Sequence, residues 1–186
     1  MMSEKSNKFT LIGLLLVFVL PVMAAKLALD NRWFNSGATN KGELLQPVRD
    51  FSTVLAKQEP KWRIVYSVPE TCDAACKNAI YSIHQVWIAL GRETDRAEAT
   101  VILTDTSDQT VLKSLENEHN LHVLRVSDDT ASNAMLPQDS GSIMLVDTLN
   151  NAMLRYPTFE DKNAAVQSSR DILADVKKLL KLSRIG

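Results

Sequence analysis

The stretch from Tyr66 to Trp87, YSVPETCDAACKNAIYSIHQVW, holds both cysteines of the chain, Cys72 and Cys76, in the spacing i, i+4. Three chemistries use two thiols placed in this way: a structural disulfide, a redox couple and a clamp for a soft metal. On one face of a helix their Cβ atoms would stand about 5–6 Å apart, near enough to bridge after a local adjustment. At a helix N-terminus the unpaired N–H groups and the macrodipole favour a thiolate, which makes Cys72 the expected nucleophile and Cys76 its resolving partner. As a staple the pair is poor. The chain-entropy model values so short a loop at about 2 kcal/mol, against about 4.7 kcal/mol for a loop of 100 residues.

Other side chains able to do chemistry do not gather into a pattern. His84 lies two helical turns beyond Cys76, about 12 Å along the axis and ~80° round the wheel, too far to share an ion with it. His119 falls at an expected helix end, where it can cap carbonyls, and His122 at a strand start facing solvent. Of the methionines, Met144 and Met153 sit in apolar runs as core fillers, while Met135 stands in a loop from which it could approach the thiols. Glu93, Asp95 and Glu98 read as a solvated turn and Asp128-Asp129 as a loop. Lys177, Lys178, Lys181 and Arg184 crowd the last helix as a solvated face that complements its dipole. Neither a Ser/His/Asp arrangement nor a phosphate-cradling glycine loop is present in the sequence.

The elements that must position the cysteines follow from periodicity. WRIVYSV (Trp62 to Val68) is a short β-branched and aromatic run stopped by Pro69, a buried strand. From Asp73 to Leu90 the residues Cys76, Ile80, Ile83, Trp87 and Leu90 recur at helical spacing before Gly91, an amphipathic helix. A strand over Ala99 to Asp105, a helix over Ser107 to His119 capped by Ser107 or Asp108, and a strand over Leu121 to Val126 complete a βαβαβ run. Ser142 to Asp147 and Ala152 to Tyr156 form a hairpin, and residues 163–183 a closing helix. Ahead of them, DNRWFNSGATNKGELLQP reads as a polar connector in which Gly37, Gly42 and Pro47 break any helix. Strands alternating with helices, then a hairpin and a helix, resemble the thioredoxin-like three-layer α/β layout.

Composition bounds the class. With 45% apolar and 23% charged residues in 186, the chain can bury one core, and a net charge of −1 excludes a basic nucleic-acid face. The N-terminus has its own signal. Lys5 and Lys8 precede Phe9 to Ala25, which carries no charge, and Leu27 to Leu29 extend the apolar run while Lys26 snorkels. A bilayer core needs ~20 such residues. We expect a single transmembrane helix, with a signal peptide cleaved near Val22-Met23-Ala24 as the alternative. Positive charge ahead of the run keeps that end in the cytoplasm and exports the remainder, so the thiols meet an oxidising compartment. The expected organisation is residues 1–8 as a cytoplasmic tail, 9–29 as the anchor, 30–42 as a linker and 43–186 as the thioredoxin-like domain.

KWRIVYSVPETCDAACKNA (residues 61–79) and DSGSIMLVDTLNNAML (residues 139–154) resemble the cysteine segment and late hairpin of the Sco/SenC proteins, which assemble the copper centre of cytochrome c oxidase. The resemblance implies a single-pass protein of a bacterial inner membrane with its domain in the periplasm. Its implied work is oxidase biogenesis by thiol-disulfide exchange or copper handling, with an oxidase subunit or assembly factor as partner. The same resemblance implies Cys72 and Cys76 as the catalytic pair and as copper ligands. A later histidine completes the family's copper site, whereas Asp139 stands at that position here, and a carboxylate suits Cu(I) poorly. Lys77 stands where the family carries a proline after its second cysteine. The chain is therefore expected to be a divergent relative, and the competing expectation is a non-catalytic assembly scaffold whose cysteines form a permanent disulfide. If residues 9–29 are an anchor, the mature protein will stay with membranes through a carbonate wash; a soluble product beginning near Ala25 would contradict this.

Overall fold

A computed structural model describes residues 3–30, 39–55, 57–115, 118, 120–135, 139 and 141–183. They fall into two compact units, Met1–Thr39 and Asn40–Gly186. The first contains one helix, α1 (Ser3–Asp30), with Pro21 inside it. Within α1 the 20 residues Phe9–Ala28 have a mean hydropathy of 2.5, long and apolar enough to cross a membrane.

The second unit is built on one six-stranded sheet. Its strands are β1 (Glu43–Asp50), β2 (Trp62–Ser67), β3 (Ala97–Leu103), β4 (Leu121–Arg125), β5 (Ile143–Val146) and β6 (Asn151–Tyr156), in the order β1-β6-β5-β2-β3-β4. β2, β3 and β4 run parallel, while β5, β6 and β1 are antiparallel to their neighbours. β2 is central and almost wholly buried, as its apolar residues require of a strand covered on both faces, and Arg63 within it is paired with Glu98 at 3.0 Å.

Alternation along the strands divides the core. Ile64 and Tyr66 of β2, with Val101, Leu145 and Leu154, pack under α3 (Ala74–Ala89) and α6 (Lys162–Leu182) through Ile83, Val86, Ile172 and Val176. Val65, Ile102, Met144 and Val146 face the other way, against α2 (Ser52–Leu55) and Ala134 of α5 (Asp128–Ala134). Helices on both faces of the sheet make the thioredoxin-like three-layer fold.

Three expectations change. Glu43 to Asp50, half assigned to the connector, is a strand containing Pro47. β1 is an edge strand whose register against β6 shifts between Leu44 and Arg49, so a missing N–H is tolerated there. The helix expected over Ser107 to His119 shortens to a single 3₁₀ turn, Gln109–Val111, and α4 (Leu112–Leu115); His119 lies outside the described residues. Asp128-Asp129, read as a loop, open α5. Ser127 caps its start, and the two carboxylates complement the dipole in its first turn.

The start of β1 is tied down from α6. Buried Asp175 accepts from the amides of Lys41 and Gly42 at 2.8 and 2.9 Å, and from the Tyr156 hydroxyl at 2.9 Å. Burial first, and then the Asp175 charge, push the Tyr156 phenol far above its ordinary range. A Cβ on Gly42 would stand 2.6 Å from the Tyr156 ring. That ring cannot swing aside, because it is buried and hydrogen-bonded. Gly42→Ala should therefore lower stability by about 1–3 kcal/mol, read as a lower urea midpoint; an unchanged midpoint would mean that the ring yields freely.

Candidate functional site

At the end of β2 the chain leaves the sheet at its carboxyl edge. Val68 still donates its amide to Ile102 O at 3.0 Å, Pro69 bars further strand pairing, and Asp73 caps α3. Capping fixes the cysteine geometry. Asp73 is extended, with φ −80° and ψ −164°, so Cys72 precedes the helix and only Cys76 lies in its first turn. The pair is thus not an i, i+4 pair inside a helix. The bend at the cap brings the two Cα atoms to 5.1 Å, and the sulfurs are joined in a disulfide. Both cysteines are buried, Cys76 at 1% exposed and Cys72, the less enclosed residue, at 7%.

The backbone groups around the disulfide are occupied by carboxylates. Cys76 donates its amide to Asp73 Oδ1 at 2.9 Å, and Cys72 donates its amide to Asp108 Oδ2 at 3.0 Å. Asp108 is held in turn, since its own amide donates to Pro69 O at 2.9 Å while Thr110 donates from hydroxyl and amide to its Oδ1. The Thr110 hydroxyl, followed by the Cys72 amide, holds the Asp108 carboxyl below the usual carboxylate range. Ser107 Oγ donates to Val68 O at 2.6 Å and stitches the same two loops together. Beneath the disulfide Tyr66 is pushed up to about 12, by burial first and then by the Asp73 charge.

The remaining candidates go elsewhere. His84 is largely buried, with Nδ1 3.2 Å from Glu118 Oε2, and His122 Nδ1 stands 3.8 Å from Glu98 Oε1. Met144 is buried in the core and Met153 packs against it, whereas Met135 lines an open cleft of about 840 Å³ that reaches Pro69, Glu70 and Thr71 beside the cysteines. Asp139 is wholly buried. Its oxygens take Arg49 Nε of β1 and Arg155 Nη1 of β6, each at 3.1 Å. Among the described residues no three His, Cys, Asp or Glu side chains come together as a metal site. Among the described residues copper would therefore find the two sulfurs, once reduced, and no third donor of these types. Asp108 is the side chain that sequence reasoning missed. It appeared only as a helix cap, and its reach to Cys72 depends on the parallel pairing of β2 with β3.

Comparison with known proteins bears on this geometry. The family described as "Transmembrane-like, thioredoxin-like, C-terminal domain" matches residues 62–183. The chain belongs to this family. No curated protein sequence matches it. Among solved structures, apo Sco1 from Thermus thermophilus shares 13% identity, with 78% of this chain and 99% of that one covered at a TM-score of 0.56, which shows a shared fold. Copper-bound ScoI from Arabidopsis thaliana shares 13% identity over 74% of this chain and 98% of that one, at a TM-score of 0.48. BsSco, a Sco-family cytochrome c oxidase assembly protein in which a disulfide switch has been identified, shares 15% over 67% and 83%, at 0.45. The chain is thus a thioredoxin-like protein that shares its fold with Sco1 and carries an N-terminal apolar helix.

Asp139 has a structural task, pairing with arginines from β1 and β6. Asp139→Asn leaves two guanidiniums without their shared charge and should cost on the order of 3 kcal/mol in urea unfolding. A loss below measurement would mean that the two arginines find other partners at no cost.

Proposed function

We propose that the protein is a membrane-anchored thiol-disulfide exchange factor of the periplasm that assists cytochrome c oxidase biogenesis, with Cys72 as attacking and Cys76 as resolving residue. One observation carries this: a disulfide closed across a helix N-terminus, at the carboxyl edge of a parallel strand pair, with its first sulfur on the more accessible residue. In the exchange the Cys72 thiolate attacks a disulfide of an oxidase subunit or assembly factor, and one partner sulfur leaves and takes a proton. The Cys76 thiolate then attacks Cys72 Sγ, expels the second partner sulfur and leaves the Cys72–Cys76 disulfide. The partner is reduced by two electrons, and an extracytoplasmic dithiol must restore the pair. Phe9–Ala28 supports the anchor, and the Sco-like cysteine segment and the fold shared with Sco1 support the assembly role.

The burial of both cysteines favours a second reading, an assembly scaffold with a permanent disulfide. The two differ in redox behaviour. Exchange predicts a midpoint above the about −300 mV typical of structural disulfides, together with a Cys76→Ser variant that accumulates a mixed disulfide through Cys72. A lower midpoint and no mixed disulfide would leave the scaffold.

A further inference from the structure

Fixed negative charge stands at both ends of the cysteine pair. Asp108 holds the Cys72 amide, Asp73 holds the Cys76 amide, and Asp108 is locked by Thr110 on its other oxygen. Glu70 lies in the turn before Cys72. The nearby cation on this turn is Lys77, exposed on α3, whose charge acts on Asp108. Tyr66, protonated at neutral pH, adds no charge.

We propose that Asp108 is a positioning residue that acts on Cys72 as an electrostatic brake, slowing thiol-disulfide exchange while Lys77 partly releases it; this rests on the exchange function proposed above. When dithiothreitol reduces the protein, one reagent thiolate attacks a cysteine Sγ and the S–S bond breaks. The electron pair leaves on the other protein sulfur, which then takes a proton. The second reagent thiolate attacks the mixed disulfide, expels the remaining protein sulfur and closes the oxidised ring. The reagent thus loses two electrons and the protein gains them. Each step brings an anion toward the site and leaves a negative sulfur in it. The Cys76 amide in the first turn and the Cys72 amide just before the helix are given to carboxylates and so are not free to stabilise such a sulfur. The barrier therefore rises with the Asp108 charge and falls when salt screens it.

The experiment measures the rate at which dithiothreitol reduces the full-length protein in neutral detergent, at low and high salt. Asp108→Asn keeps the shape and one acceptor oxygen for the Cys72 amide, turns its NH2 to the Thr110 hydroxyl while the exposed Thr110 amide goes to water, and removes the charge. It should react about three- to fivefold faster at low salt, as expected for one charge a few ångströms away in a wet site, and the gain should shrink at high salt. Lys77→Gln, on the surface, should react more slowly. An Asp108→Asn rate equal to wild type, a gain indifferent to salt, or an unchanged Lys77→Gln rate would overturn the brake. A wild-type disulfide that resists dithiothreitol altogether would overturn the exchange function itself, an outcome distinct from reduction that proceeds without an Asp108 effect.

Discussion

The arrangement depends on how the first turn of α3 satisfies its backbone amides. A helix leaves its leading N–H groups without internal partners, and something must take them. Asp73 takes that of Cys76, and Asp108, from the loop after β3, takes that of Cys72 just outside the helix. These two hydrogen bonds set the direction in which the chain leaves β2 and hold the loops at the sheet's carboxyl edge together. They also bring the cysteine Cα atoms to bonding distance. The same two bonds place carboxylates beside both cysteines, so they set the geometry and also put negative charge where a thiolate would form.

Much of this was legible in the sequence. The β2 strand, its stop at Pro69 and the helical spacing from Cys76 to Leu90 are local patterns, and the structure follows them to within a residue or two. β1 was less so. Gly42 and Pro47 look like breakers until Gly42 is seen to make room for Tyr156 and Pro47 to lie on an edge. The roles of Asp108 and Asp139 had no local signature. One carboxylate meets a cysteine amide 36 residues away in the chain, and the other meets arginines from β1 and β6, contacts that exist only once the sheet order is set.

Asp139 shows how a residue with no local signature can hold the sheet together. The chain buries this carboxylate between Arg49 and Arg155 and ties the loop before β5 to β1 and β6. A buried charge survives only when paired in this way. At the carboxyl edge the two sulfurs form the site for which we propose thiol exchange.

The most direct test of that conclusion is the state of the pair where the protein works. Full-length protein in native membranes can be quenched with acid, its free thiols alkylated with one reagent and its disulfides, after reduction, with a second, and Cys72 and Cys76 read by mass spectrometry. A working exchange pair should occur as both dithiol and disulfide, and the ratio should move when the membranes are exposed to a mild dithiol or a mild oxidant. Complete oxidation that no such treatment alters would contradict it.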